Sequence, residues 1–312
     1  MTSTRQFSIA ARLGVATTLS MFGLIVVGSV VRTTGSGLAC PDWPLCQGRL
    51  IPPFEFHVLV EWFHRLLALG VSVLLVATAA WVLARGTLRS RLGGLTVLAL
   101  VLLAAQVLLG ALTVWKLLDP SVVGGHLAVA LLLFAIMVAL TLIARSEAEG
   151  PAATVPTVLR PPGLFPTVGV ATVLVYVQAV LGGVVSTHHA GLACPDWPTC
   201  NGQWFPPLEG LTGLQVLHRY GAYLLTGVMF FAAARSRSAP EPAVRAGAAM
   251  ALWLTLSQVV LGVCNVLLGT PPWLSAAHIA TAAAILAVMV TVTLRAAALP
   301  AAVARLATAE AS

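Results

Sequence analysis

Eight apolar runs, at about 12–32, 62–84, 92–115, 122–144, 165–186, 213–234, 246–268 and 274–296, divide this 312-residue chain. Each approaches or exceeds the ~20 residues that a helix needs to cross ~30 Å of hydrocarbon. Composition agrees: 59% of residues are hydrophobic and 9% charged, where a soluble chain carries roughly 25% charged residues. The sequence therefore predicts an all-α integral membrane protein of eight transmembrane helices. The first run, with Arg5 and Arg12 ahead of it, has the look of a signal peptide. It is too long for an h-region, and it has a counterpart later in the chain. The net charge of +7 does not point to nucleic acid, because no basic block is interleaved with aromatics. The arginines instead report orientation. Arg5, Arg12, Arg85, Arg89, Arg91, Arg145, Arg160, Arg235, Arg237, Arg245, Arg295 and Arg305 share one side of an eight-helix threading. Arg32, Arg49, Arg65, Lys116 and Arg219 fall on the other. The positive-inside rule then puts both termini in the cytoplasm of a plasma-membrane protein, surrounded by lipid.

An internal duplication fixes the organisation. Residues 37–53 read GLACPDWPLCQGRLIPP and residues 191–207 read GLACPDWPTCNGQWFPP, an offset of 154. At that offset His64-Arg65 lands on His218-Arg219; further on, QVLLG at 106–110 meets QVVLG at 258–262, and His126 meets His278, at an offset of 152. The chain thus reads as two tandem four-helix bundles, 1–144 and 165–312, joined by a polar, Pro-rich cytoplasmic linker at 145–164. With four helices per unit, both enter the membrane in the same direction and are related by a pseudo-twofold along its normal.

The repeated loops fall on the outer, oxidising side. Cys40 and Cys46, and again Cys194 and Cys200, flank PDWP. Intraloop disulfides Cys40–Cys46 and Cys194–Cys200 are the economical reading, with a metal or dithiol redox role as the alternative. Cys264 reads as a small core residue of helix 7.

Of the seven histidines, His64, His126, His218 and His278 each lie a few residues inside the outer end of an even-numbered helix. A lone intramembrane histidine is as readily a buried hydrogen-bonding group as a ligand. Four, paired by a duplication and level with one another, match bis-histidine haem sites, with each iron between two ring nitrogens. A haem wire across the membrane needs two depths, and these four share one. Arg65 and Arg219 stand ready for haem propionates, or simply snorkel to the interface. The halves differ at one place of interest: Glu61, on the same helical face as His64, becomes Gln215. Either the first site does proton or cation chemistry that the second lacks, or Glu61 is an exposed helix-end charge. Gln106, Gln178 and Gln258, in recurring Q-x-x-L-G contexts, are expected to bond between helices. His57, His188 and His189 have no repeat partners and read as loop residues.

This motif set, spread from helix 1 to helix 8, resembles the haem A synthase family, bacterial type with cysteine pairs in both outer loops. The resemblance implies that haem O is the substrate and haem A the product, the C8 methyl being oxidised through hydroxylated intermediates to a formyl group. It implies a substrate haem at His64 and His126, with Glu61 and the loop cysteines implicated in the reaction. It implies a permanent haem b at His218 and His278. The partners implied are haem O synthase, terminal-oxidase assembly components and an electron donor or acceptor. A dihaem b-type electron carrier or quinol oxidoreductase, without porphyrin chemistry, is the alternative in another function class.

Overall fold

The structure is a computed structural model that describes residues 2–150 and 161–310, with side chains as far as 297. Arg160 and the middle of the expected linker lie outside the described residues, as does the side chain of Arg305. Among the described residues the fold is all-helical: α1 Ser3–Thr33, α2 Phe56–Leu83, α3 Gly86–Trp115, α4 Pro120–Glu149, α5 Leu164–Thr187, α6 Gly210–Ser236, α7 Pro242–Leu267 and α8 Pro272–Glu310. A short 3-10 turn, Ala190–Leu192, precedes the second cysteine loop.

The helices overrun the apolar runs. Hydropathy marks only the stretch without charges, whereas a helix continues until a cap or break stops it. Thr2 accepts from the Arg5 N–H at 3.4 Å and starts α1 nine residues before residue 12. Asp119 caps α4, accepting from Ser121 and Val122 N–H at 2.9 and 3.2 Å, with Pro120 in the first turn. α2 begins at Phe56, so His57, expected in a loop, sits in its first turn, with Nδ1 2.9 Å from Ser36 Oγ.

Among the described residues, seven helices are long and apolar enough to cross a membrane. The exception is α6, where Gln215, His218, Arg219, Tyr220 and Tyr223 interrupt the apolar sequence. Many large apolar side chains face outward, among them Leu66, Val73, Val101, Val173 and Trp253. Water would not tolerate so large an apolar surface, and lipid covers it. The chain is a multi-pass membrane protein.

Packing follows the repeat. α1 packs on α2 and α4, and α3 on α2 and α4; likewise α5 packs on α6 and α8, and α7 on α6 and α8. Contacts of α1 and α4 with α8, and of α4 with α5, join the halves. The main core lies along these central helices, around Leu131, Phe134, Val168, Ala171, Leu286 and Met289. Hydroxyl pairs tie helices together, as in Thr17–Thr78 at 3.2 Å and Thr172–Thr293 at 2.8 Å. Arg32 Nη1 donates at 2.6 Å to the carbonyl of Ser186, the residue in its own place in the second copy.

Candidate functional site

The cysteine loops are built alike. Asp42 accepts from the Gln47 and Gly48 N–H groups at 2.5 and 2.7 Å. Asp196 accepts from Asn201 and Gly202 at 2.6 and 3.0 Å, and also from the Thr199 hydroxyl. The Gly48 N–H, with help from that of Gln47, holds the Asp42 carboxyl below the ordinary carboxylate range. The Thr199 hydroxyl and then the Gly202 N–H do the same for Asp196. Each turn brings its cysteines together: the sulfurs stand at disulfide distance, 1.91 Å for Cys40–Cys46 and 1.98 Å for Cys194–Cys200, with Cα atoms 4.6 Å apart in both. No group of three His, Cys, Asp or Glu able to hold a metal ion occurs among the described residues. Peptide mapping without reductant is expected to recover both crosslinks from fresh protein; four freely alkylated thiols would overturn them.

The helices hold these loops by their polar side chains. Arg65 donates from Nη1 to the carbonyls of Asp42 and Leu45, both at 2.6 Å, and from Nη2 to Cys40 O at 2.7 Å and Glu61 Oε1 at 2.6 Å. Arg219 repeats the pattern on Thr199 O at 2.8 Å and Cys194 O at 2.6 Å. Glu61 is only 4% exposed, and its Oε2 accepts from the Cys40 N–H at 2.8 Å. The helix-end alternative is therefore corrected: Glu61 is an interior charge, ion-paired to Arg65. Gln215, equally buried, donates to Gly191 O at 3.2 Å, and its Oε1 has no partner.

His64, His126, His218 and His278 all lie at the cysteine-loop end of their helices. His64 and His218 follow those loops directly on α2 and α6. Trp115, closing α3, meets Trp43 edge-on at 6.0 Å, which places the start of α4 at the same end. By the repeat, His64 is the equivalent of His218 and His126 of His278. Each histidine is only partly covered, yet the Nδ1 atoms of His64, His126 and His278 are buried without a hydrogen-bond partner.

Sequence reasoning missed what backs each ring. A Cβ on Gly28 would stand 3.2 Å from His64 Cε1, and one on Gly110 3.3 Å from His126 Cε1. On Gly182 it would be 2.9 Å from His218 Cε1, and on Gly262 3.0 Å from His278 Cε1. Every odd-numbered helix thus offers a glycine on which the imidazole of the next helix rests. The signal was present in Q-x-x-L-G, where glutamine and glycine lie one turn apart on one face. Gln106 Nε2 is 3.2 Å from His126 Nε2, and Gln178 Nε2 is 3.0 Å from His218 Nδ1. His188 and His189 end α5, His189 at a φ of 54° where the first copy has Gly35 at 70°.

The chain is 31% identical to the heme A synthase of Symbiobacterium thermophilum over 80% of its length and 83% of that protein. It is 33% identical to that of Shouchella clausii over 82% and 86%, and 31% identical to that of Methylobacterium radiotolerans over 84% and 83%. The family model described as cytochrome oxidase assembly protein, COX15-CtaA, matches residues 11–290, a span that takes in both cysteine loops and all four histidines. The chain belongs to the COX15-CtaA family.

Proposed function

We propose that this protein is a haem A synthase, an oxidoreductase that converts the C8 methyl of haem O to a formyl group. The reading rests above all on the four glycine-backed imidazoles, His64, His126, His218 and His278, at the cysteine-loop end of the helices. In it, residues 1–144 and 165–312 are two four-helix units about a pseudo-twofold axis, α6 being the eighth span. The ring-like packing within each half supports this, as does the bond from Arg32 to its own counterpart, which must lie near any such axis. The even helix count and the arginine distribution support cytoplasmic termini, outer cysteine loops and a plasma-membrane location.

The residues fit haem. A protein-only metal centre needs three or more side-chain donors, and none is clustered among the described residues. A porphyrin brings four nitrogens of its own and asks for axial donors alone. Buried imidazole nitrogens without partners, backed by glycines that leave room for a flat ring, are what such a site requires. His218 and His278 would hold haem b, which supplies electron transfer; His64 and His126 would hold the substrate, haem O. Glu61 stands three residues from His64 and carries a charge absent from the second half. A fixed carboxylate there stabilises positive charge developing as the methyl is oxidised, or relays its protons. With water as the oxygen source, each of two hydroxylations would release two electrons and two protons to an external acceptor, giving a geminal diol that loses water to the aldehyde. Arg65 and Arg219 serve the haem side of each unit through the loops that they hold, since Arg65 has both Nη atoms bonded to loop carbonyls and Glu61. The haem A product then passes to terminal-oxidase assembly, and haem O synthase and an electron donor or acceptor are the other partners.

Pigment extraction decides the reading. A host lacking haem A, given this gene, should yield haem A or its alcohol precursor beside haem B. Haem B alone would favour the dihaem electron carrier, and no haem at all would sink both.

The glycine shelves make a graded prediction. A methyl at 182 would stand 2.9 Å from the ring, where something must shift, whereas at 262, 28 and 110 it would stand 3.0, 3.2 and 3.3 Å away, tight contacts that a ring relieves by moving a few tenths of an ångström. Gly182→Ala should lower haem b occupancy and Gly262→Ala lower it less, while Gly28→Ala and Gly110→Ala should leave it unchanged and slow conversion mildly. Haem-to-protein ratio in purified samples is the measurement. Equal haem b in all four variants would contradict it.

A further inference from the structure

Three of the four odd-numbered helices carry glutamine one turn before the glycine that backs a histidine: Gln106 before Gly110, Gln178 before Gly182 and Gln258 before Gly262. On α1 the same place, four residues before Gly28, is Leu24. His64 thus has no glutamine behind it, and its buried Nδ1 lacks a partner, as do those of His126, whose amide meets Nε2 instead, and of His278, where the Gln258 oxygen is itself unpartnered. Its counterpart His218 is held twice. Gln178 Nε2 lies 3.0 Å from the ring Nδ1 and donates to the His218 carbonyl at 2.7 Å.

A second position changes with the first. The amide of Gln178 fills the space beside Gly221, where a Cβ would overlap its Oε1. The first-half equivalent of Gly221 is Leu67, by the offset of 154 that also relates Gln178 to Leu24. The two copies therefore differ by a matched pair: Leu24 with Leu67, against Gln178 with Gly221. The structure gives the reason for the match, since the amide can reach His218 only where residue 221 has no side chain.

We propose that Gln178, seated in the gap at Gly221, is a positioning residue that makes the second haem site permanent, and that Leu24 leaves His64 free to turn away, so that the first site exchanges its haem. The inference rests on the reading of the four histidines as haem ligands. An imidazole whose second nitrogen is engaged cannot rotate off the metal without breaking that bond. Either end of an amide serves: its N–H donates to a bare Nδ1, and its oxygen, after an end-for-end turn, accepts from Nδ1–H. Leucine offers neither. A site that binds a substrate and releases a product needs a ligand that lets go, and a resident cofactor needs one that does not.

The test uses the purified full-length protein loaded with haem b, and a haem-scavenging apoprotein to read release. Gln178→Leu is expected to speed haem b loss about 10–100-fold, the usual effect of removing a ligand's supporting bond, and to raise the haem midpoint potential. Gly221→Ala, which ejects the amide without touching it, should give the same two changes. The double variant should add nothing to either, because both act on one contact. The transplant Leu24→Gln with Leu67→Gly should slow haem O release from the first half. Unchanged release and potential in both Gln178→Leu and Gly221→Ala would overturn the inference, as would full additivity in the double variant. His278→Ala serves as the control: if it keeps haem b, the ligand reading itself has failed; if it loses haem b while Gln178→Leu behaves as wild type, only the role of Gln178 has.

Discussion

Replacing His278 or His218 with alanine is expected to strip haem b from the purified protein, while replacing His64 or His126 abolishes haem A formation and leaves haem b in place. Each substitution removes one imidazole from a proposed pair of axial ligands. Losing a hydrogen bond that merely supports a ligand costs roughly 10–100-fold in metal affinity, and losing the ligand costs more. The two pairs should fail independently, because the rings rest on different helices: Gly28 and Gly110 back one pair, Gly182 and Gly262 the other. Low-spin haem absorption and haem extraction, at matched protein levels, separate the outcomes. Full haem b spectra from all four alanine variants would remove the ligand assignment and with it the proposed chemistry.

The equivalence of these histidines across the repeat was legible in the sequence because a duplication carries register with it. Once GLACPDWP recurs at a fixed offset, two residues known only by number acquire equivalent places in space. Hydropathy located the helices for the same reason that lipid requires them, but not their ends. Thr2 acts through one hydrogen bond and Asp119 through two, and no window average registers either cap. α6 shows the converse, since the side chains that make a site also lower the hydropathy by which a span is recognised. Glu61 was legible as an asymmetry and illegible as a place. Its spacing put it on the His64 face, but only the fold reveals that the Cys40 loop doubles back over it and buries the carboxylate. The glycines were hidden differently, because a residue without a side chain matters by what approaches it. Nothing in the spacing of α1 announces that His64 of α2 rests on Gly28.

Glu61→Gln tests the division of labour between the halves. The substitution gives the first half the residue that stands in the second, with nearly the same size and hydrogen-bonding capacity but no charge. If the carboxylate stabilises a cationic intermediate or relays protons, conversion should fall ~10²–10³-fold, the usual cost of one preorganised electrostatic group. Haem O should still bind, and hydroxylated intermediate should accumulate. The buried ion pair complicates the result, because Glu61 also steadies Arg65 and the Cys40 N–H, and breaking such a pair costs about 3–5 kcal/mol. Arg65→Gln supplies the comparison: it breaks the same pair and keeps the carboxylate. A structural role predicts that both variants lose thermal stability and conversion in parallel. A chemical role predicts a similar loss of stability but a far deeper loss of conversion in Glu61→Gln. Gln215→Glu, which creates a carboxylate four residues from Arg219 in the second half, should leave product formation near wild type and shift only the potential of haem b. The readout is the ratio of haem A to haem O and alcohol in extracted pigment. Conversion in Glu61→Gln equal to that in Arg65→Gln would make the carboxylate a strut for the Cys40–Cys46 loop, and the chemistry would have to be sought at His64 and the loop itself.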